Sequence, residues 1–331
     1  MNMKLKYCST LLLGLVLCSC EDDPKFLHDT ITELSNDCIK RSLPVAPNIV
    51  NNDIEFAYAM AIPKNMGKLT AAQTVASIAG AENTRFDPNS YYTNNAGQDI
   101  PVRVASDSKT EGTTTSVEFT VDTCASTLRY YYVIPEEAKG KEVKFTFSVK
   151  ASNGQTAQYK LGPYKISKMD MTKRLKVDAE NCFISFRNER EAIHIYSMEE
   201  VEDNPSLLEK IDLMYHYSTY GDISHAIYTA SSPNEYMDGV SLPVGFVNDT
   251  RLKKIYGMQD RQLADLKYNK YVDDLDFETL NLEKSSNYLL GLKEESAFWA
   301  ETNDGKYRAF VYVNKAPNGE MTISAKRYPM K

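Results

Sequence analysis

Four carboxylates stand close together near residue 275 and are the first candidates for metal chemistry in this chain. Asp273, Asp274, Asp276 and Glu278 fall within one short run, and carboxylate oxygens are the ligands that Ca²⁺ prefers. The run lacks the spaced Asp positions, central Gly and distant Glu of a calcium loop, and a solvated charged edge explains it equally well. We therefore keep Asp273, Asp274 and Asp276 as a weak calcium candidate and expect no metal or cofactor.

Other catalytic patterns are weaker. His194, His216 and His225 match no zinc-ligand spacing, and each lies among alternating strand residues. The sequence has no C-x-x-C pair and no G-x-S-x-G nucleophile motif. The carboxylate run fits glycoside hydrolysis poorly, because the acid and the base should flank a cleft from separate elements. We predict a protein that is not an enzyme, with an unrecognised glycan hydrolase as one alternative.

A run of three tyrosines is the most unusual aromatic feature. On a strand, Tyr130 and Tyr132 share one face and Tyr131 takes the other, so one ring is exposed unless both faces are covered. Tyrosine offers flat contact area and a hydroxyl, which suits sugar or protein binding. Tyr130, Tyr131 and Tyr132 are therefore the ligand-binding candidates, and burial in a sheet core is the competing interpretation.

The N-terminus has the pattern of an export signal. Lys4 and Lys6 precede the apolar residues 11–17, which are far too few to span a bilayer, where about 20 are needed. The sequence Leu17-Cys18-Ser19-Cys20 looks like a bacterial lipobox, so Cys20 is expected to become the lipidated first residue, and Cys18 is the alternative. A multiply acylated cysteine would hold the protein on a membrane.

An acidic run follows that cysteine. Glu21, Asp22 and Asp23 resemble the surface-export signal of Bacteroidota lipoproteins, which predicts an outer-membrane protein that faces the cell exterior. An ordinary solvated linker is the alternative interpretation of these residues.

Composition narrows the partners. The 331 residues carry a net charge of −7, and loss of Lys4 and Lys6 with the signal would make the mature chain more negative. An acidic chain repels phosphate backbones, so we expect no nucleic-acid partner. Cys38, Cys124 and Cys182 remain in the body, an odd number without close spacing. Three buried thiols are the preferred interpretation, and one disulfide stays open.

Elements recur along the chain at the spacing of short strands. Residues 53–62 alternate at period two, and residues 101–105, 116–121, 127–134, 142–151 and 156–167 continue as strands. Residues 69–79 are ambiguous between helix and strand. Asn153-Gly154 predicts a type I′ hairpin. This pattern is typical of an immunoglobulin-like β-sandwich.

The second half mixes element types. A polar stretch at residues 167–176 marks the boundary, and strands are expected near 181–196, 210–217, 225–230, 286–292, 297–301, 307–314 and 321–327. Ser197 with Glu200 predicts a capped helix, and residues 257–266 a second one. We expect a mainly β or α+β protein: signal peptide 1–19, lipidated acidic tether 20–50, immunoglobulin-like sandwich 51–170 and α+β domain 171–331.

Several segments together resemble a family of unknown function among Bacteroidota surface lipoproteins. These segments span residues 35–41, 54–60, 122–132, 162–170, 271–277 and 304–309. Members of that family have been labelled pore-forming toxins by structural analogy, and the resemblance implies no catalytic residues. Fold-level analogy is weak evidence of function.

The pore-forming alternative can be tested on residues 103–121. This Ser/Thr-rich stretch looks like an insertion hairpin with Glu111-Gly112 at its tip, but the face toward lipid would be mostly polar. We therefore expect a lipid-anchored cell-surface protein that captures a glycan or a protein or acts in adhesion. A pore-forming protein remains the other alternative.

Overall fold

The computed structural model describes residues 31–42, 45–189, 191–221, 223–264 and 269–330. Cys20, Glu21, Asp22 and Asp23 lie outside the described residues, so lipidation and surface export stay predictions. Among the described residues, no helix is long and apolar enough to cross a membrane.

The described part of the first half is built from antiparallel strands. They are β1 (Ser35–Lys40), β2 (Asp53–Ala61), β3 (Leu69–Ala76), β4 (Arg85–Thr93), β5 (Asp99–Arg103), β6 (Lys109–Glu111), β7 (Thr114–Glu118), β8 (Ala125–Val133), β9 (Glu142–Ala151) and β10 (Thr156–Lys165). One sheet has the order β1-β2-β8-β4-β5 and the other β10-β9-β3-β7-β6.

These two sheets pack face to face as a sandwich. In β2 the alternate residues Ile54, Phe56, Tyr58 and Met60 are all buried, as the period-two pattern predicted. The ring of Phe56 lies 4.8 Å from that of Phe145 on the facing sheet, measured between centroids. Aromatic contacts of this kind, added to buried apolar area, hold the two sheets together.

The second half is also mainly strand, with two short helices. Its elements are β11 (Asp170–Val177), β12 (Phe183–Ser185), β13 (His194–Tyr196), α1 (Met198–Asp203), β14 (Leu213–Tyr217), β15 (His225–Tyr228), β16 (Arg251–Ile255), α2 (Asp274–Glu278), β17 (Tyr288–Leu292), β18 (Ala297–Glu301), β19 (Tyr307–Lys315) and β20 (Met321–Pro329). The sheets are β11-β20-β19-β18-β16 and β13-β12-β14-β15-β17. The mainly β prediction is confirmed, and the immunoglobulin-like detail stays a prediction.

The sheet that contains β18, β19 and β20 is covered on both faces. Phe298 and Val311 point into the core between the two C-terminal sheets, whereas Trp299 and Phe310 pack on the other side against Phe277 of α2 and its neighbours. Strands that are buried on both faces read as continuous apolar runs, which is what β18 and β19 show.

Side chains and backbone join the two halves. Asn48 bridges to Ile166 in a parallel pair. Ser167, which directly precedes the second half, donates a hydrogen bond from its hydroxyl to Asp274. The side-chain amide of Gln262 reaches back to the carbonyl oxygen of Pro47, at 3.1 Å. These contacts place the junction beside the start of α2.

Several segments differ from the sequence prediction. Residues 35–40 lie in the range assigned to the tether but form the edge strand β1, with Cys38 buried. Most of the polar stretch at residues 167–176 lies in β11, whose first residue, Asp170, is buried in an ion pair with Arg327. Strands β4 and β16 were not predicted. Residues 257–264 form bends and turns instead of a helix, and the N–H groups of Gln262 and Leu263 donate to the side chain of Asp260.

Two turn predictions have different outcomes. The hairpin at Asn153-Gly154 is confirmed, but it is not a type I′ turn, because only Gly154 has a positive φ, of 86°. A Gly in the left-handed region after an ordinary turn fits a longer hairpin loop. The capping box at Ser197 is confirmed: its side chain accepts the Glu200 N–H, and Glu200 bonds back to the Ser197 N–H.

Candidate functional site

The tyrosine run forms the middle of β8, and strand alternation divides its rings between two faces. Tyr130 and Tyr132 are 1% and 0% exposed. They pack edge-on against Phe147 at 5.7 Å and Phe145 at 4.9 Å on the facing sheet. The ligand-binding prediction is therefore wrong for these two rings, because the opposite sheet covers them. Tyr131 lies on the outer face and remains a candidate.

Tyr131 shares the outer face with three other residues. Arg129 stands two positions earlier on β8, and Arg85 and Tyr91 lie on the neighbouring strand β4. The Cζ atom of Arg85 is 4.8 Å from the centroid of the Tyr131 ring, and that of Arg129 is 3.8 Å from the centroid of the Tyr91 ring. We call these four residues the aromatic–arginine face. Cation–π contacts of this kind hold the rings and guanidinium groups in fixed positions.

Acidic residues complete the charge balance of this face. Arg129 donates from Nη2 to Asp99 Oδ2 at 2.6 Å, and its Nε lies 3.6 Å from Glu55 Oε1. Arg41 pairs with the same two acids. Hydrogen bonding to Arg41, followed by that to Thr93, lowers the pKa of Asp99. The carboxylate is therefore ionised at neutral pH, and the guanidinium groups keep paired positions.

The Tyr91 hydroxyl is fixed as well. It donates a hydrogen bond to Asp87 Oδ2 at 2.6 Å. That hydrogen bond, with a smaller contribution from burial, raises the pKa of Tyr91 to about 12. The phenol of Tyr91 thus stays neutral throughout the physiological range, beside guanidinium groups that are permanently charged.

The carboxylates near residue 275 do not converge on a shared metal position. Asp273 is the N-cap of α2 and accepts the N–H groups of Leu275 and Asp276, at 2.9 and 3.2 Å. Asp276 bonds back to the Asp273 N–H at 2.9 Å, and Asp274 accepts the Ser167 hydroxyl. Capping explains the acidic run. In the described part of the chain, no group of three or more His, Cys, Asp or Glu side chains could hold a metal ion.

The histidines are engaged separately. Nδ1 of His194 lies 3.1 Å from Glu191, and Nδ1 of His225 lies 2.8 Å from the Tyr215 hydroxyl. Burial lowers the pKa of both His216 and His225, which favours the neutral ring at pH 7. These contacts identify structural histidines in the second C-terminal sheet.

The three body cysteines are free thiols. Cys38 and Cys182 are buried and Cys124 is half-buried. Burial raises the pKa of Cys182 to about 12, so this thiol is unreactive at neutral pH. The preferred prediction was three buried thiols: Cys38 and Cys182 are buried as expected, whereas Cys124 is only half-buried.

The stretch expected as an insertion hairpin is part of a sheet. Strands β6 and β7 form a hairpin with Gly112 at its tip, and β7 pairs with β3 while burying Val117. The strands contain three and five residues, whereas a membrane-spanning strand needs about 9 to 11. The folded hairpin gives the pore-forming alternative no support.

Sequence reasoning found one member of the aromatic–arginine face and missed the other three. Arg129 could have been found, because it lies two residues before Tyr131 on a predicted strand and therefore shares its face. Arg85 and Tyr91 could not, since their place beside Tyr131 depends on the pairing of β4 with β8.

Comparisons with known proteins identify the two halves. The domain of unknown function DUF4466 matches residues 31–166, and the domain of unknown function DUF8576 matches residues 167–330. No curated protein matches this chain. The major pilin subunit BcpA of Bacillus cereus is 12% identical, with a TM-score of 0.29 over 51% of this chain and 54% of its own. A major pilin fragment of Streptococcus agalactiae is 11% identical, with a TM-score of 0.28 over 46% and 64%. Scores this low carry no argument.

One solved structure is far more similar. A DUF4466 family protein from Parabacteroides merdae ATCC 43184 is 67% identical, with a TM-score of 0.90. The match covers 91% of this chain and 100% of that one. It confirms the resemblance to a Bacteroidota family of unknown function, whereas the lipoprotein and toxin labels stay predictions. On this similarity, the chain belongs to the DUF4466 family and carries a DUF8576 domain as its second half.

Proposed function

We propose that this protein is a lipid-anchored, non-catalytic binding protein of the outer cell surface. It captures a glycan or a protein through the aromatic–arginine face. The observation that carries the proposal is the placement of Tyr91 and Tyr131 beside Arg129 and Arg85 on the outer face of a sheet, where both rings are half-buried.

Tyrosine and arginine are suited to this role for physical reasons. A tyrosine ring offers a large flat area and loses little side-chain entropy on binding, and arginine adds directional donors. Both types are enriched among the residues that dominate binding energy at protein interfaces. Arg129 is already held by Asp99 and the Tyr91 ring. Its side-chain entropy is therefore lost on folding, and little more is lost when a ligand binds.

The contacts on this face also favour binding over catalysis. The Tyr91 hydroxyl is committed to Asp87, and the Arg129 guanidinium to Asp99. A phenol is a strong nucleophile only when it is ionised, and the hydrogen bond to Asp87 raises the pKa of Tyr91 to about 12, so this hydroxyl is not activated at neutral pH. The face therefore offers contact area and fixed charges and lacks a reacting group among the residues described.

The test uses the mature chain with Cys20→Ala, which stays in solution, on arrays of glycans and of extracellular proteins. Tyr131→Leu and Arg129→Gln should each weaken capture of a bound ligand about 5- to 30-fold, since each removes a contact of roughly 1–2 kcal/mol. Tyr220→Leu is the matched control, because this ring is 72% exposed and lies in the other half.

Equal capture by all three variants would show that this face is not the binding surface. The two arrays also distinguish a glycan ligand from a protein ligand. Only the array that holds the true ligand class should lose signal in the Tyr131→Leu variant. Leakage of dye-filled liposomes by the unmodified chain would instead support the pore-forming alternative. Shortening of an arrayed glycan would support the hydrolase.

A further inference from the structure

A polar cleft of about 680 Å³ opens in the C-terminal half. It lies where the loop after β12 meets the turn between β18 and β19. Eight residues line it: Arg187, Asn188, Glu189, Tyr196, Lys210, Asp304, Lys306 and Tyr307. We call this space the C-terminal cleft. It is separate from the aromatic–arginine face, which lies on the other half of the chain.

Arg187 organises one wall of the cleft. Its Nε donates to Asp212 Oδ1 at 2.9 Å, its Nη1 to Asp304 Oδ2 at 2.8 Å, and its Nη2 to Asn303 Oδ1 at 2.6 Å. Asp212 is fully buried behind the wall. A guanidinium that is held by three partners cannot rotate freely, so the polar atoms of this wall have fixed directions.

Asp304 is a fixed acceptor at the rim. Burial opposes its ionisation, but the hydrogen bonds from the Thr302 hydroxyl and the Lys306 N–H, together with Arg187, outweigh that effect and hold the pKa of Asp304 at about 2. The group is therefore a carboxylate at every physiological pH. It stands beside the Lys306 ammonium, with 3.6 Å between Nζ and Oδ2.

Tyr307 supplies a flat apolar surface in this polar setting. The Cζ atom of Arg327 lies 4.6 Å from the centroid of the Tyr307 ring. Arg327 is 2% exposed and does not line the cleft. Its Nη1 donates to the Phe186 carbonyl at 2.7 Å, and it also bonds the Asn188 carbonyl. Arg327 thus supports one side of the ring and fixes the loop of the neighbouring wall.

The chemistry of the walls selects a ligand class. Donors and acceptors are interspersed, with ammonium groups on Lys210 and Lys306 and carboxylates on Glu189 and Asp304. With Arg187 and the buried Asp212 included, the cleft has three cations and three carboxylates. Their charges balance, so the cleft has no net attraction for an ion. Polar walls disfavour an apolar ligand. A polyhydroxyl ring can satisfy both donors and acceptors while its C–H face packs on a tyrosine.

We propose that the C-terminal cleft binds a neutral saccharide, with one sugar ring packed on Tyr307 and its hydroxyls bonded to Asp304 and Lys306. Arg187 and Arg327 are positioning residues, because they hold the acceptor and the ring. This inference goes beyond the proposed function and does not depend on the aromatic–arginine face.

The experiment titrates methyl glycosides of neutral hexoses and N-acetylhexosamines into the mature Cys20→Ala chain. Calorimetry and saturation-transfer NMR report binding, and the matching uronic acids serve as charged probes. Tyr307→Phe should retain binding of a neutral glycoside, whereas Tyr307→Leu should weaken it about tenfold. Because Tyr307 is partly buried, Lys306→Ala at the exposed rim is the second variant, with a several-fold loss expected.

Tyr220→Leu changes an exposed ring of the same half that does not line the cleft, so it is the control and should leave glycoside affinity unchanged. The proposal is overturned if no neutral glycoside binds or if only the uronic acids bind. It is also overturned if folded Tyr307→Leu and Lys306→Ala chains bind a neutral glycoside as tightly as the parent. If Tyr131→Leu loses capture on the arrays but still binds the glycosides, the aromatic–arginine face is affected and the saccharide site in the cleft is not.

Discussion

A buried lysine offers the sharpest test of how the C-terminal half is held together. Lys326 on β20 is completely buried, and its Nζ donates to Asp260 Oδ2 at 2.6 Å, to Gln262 Oε1 at 2.7 Å and to the Val272 carbonyl at 2.8 Å. Burial lowers the pKa of Lys326, and the adjacent Asp260 carboxylate opposes that shift. We predict that Lys326→Met strongly destabilises this half.

The magnitude follows from the charge that remains. Without Lys326, the carboxylate of Asp260 stays buried with only hydrogen-bond donors such as the N–H groups of Gln262 and Val272. Removing one partner of a buried pair costs about 3–5 kcal/mol, which corresponds to a fall in melting temperature of roughly 6–20 °C for a domain of this size. Adding Asp260→Asn removes the unpaired charge. The double variant should therefore lose less free energy of unfolding than the sum of the losses of the two single variants.

The assay is urea unfolding followed by the fluorescence of Trp299. This is the only tryptophan of the chain, and it packs in the same cluster as Val272. Lys315→Met, at an exposed position of the same sheet, is the matched control and should cost less than about 0.5 kcal/mol. A cost below about 1 kcal/mol would refute this reasoning.

Three further predictions concern single residues. Because burial lowers the pKa of His225, the unfolded chain binds its proton more readily, so stability should fall as the pH drops through about 6.5, and His225→Gln should show a shallower fall. Parallel pH profiles would contradict this. Tyr130→Ala should cost about 3–5 kcal/mol in thermal unfolding, as expected for a core ring, and a loss of ligand capture without destabilisation would contradict the core assignment. Cys20→Ala should abolish palmitate labelling in intact cells, whereas retained label would point to Cys18.

Local sequence signals were sufficient where one face of a strand is buried. Strand β2 was predicted because Ile54, Phe56 and Tyr58 alternate with residues on the solvent side. Strands β1 and β11 escaped prediction for different reasons. Strand β1 is an edge strand with Cys38 as its one apolar residue that reaches the core. Strand β11 is polar, and its first residue, Asp170, can be buried because it pairs with Arg327. That partner lies 157 residues away, so no local pattern predicts the strand.

The candidate sites likewise differ in whether local sequence or distant partners determine them. The acidic run at Asp273 resembled metal ligands because capping and coordination use the same oxygen atoms, and only the backbone N–H groups of α2 decide between them. The division of the tyrosine run followed from strand parity. The C-terminal cleft had no sequence signal, since Arg187, Asp212 and Asp304 come together only when β12, β14 and the turn before β19 are assembled.

One chain of contacts connects the junction between the halves to the cleft. Asp170 accepts hydrogen bonds from two sides, from Lys139 in the first half and from Arg327 in the second. Arg327 in turn supports the Tyr307 ring. If the first half did not dock, Asp170 would lose one of its two cations, and Arg327 would face a less neutralised carboxylate in a buried site. The residue that supports the sugar-binding ring therefore shares its counterion with the other half, and this is the physical reason to measure saccharide binding on the intact chain.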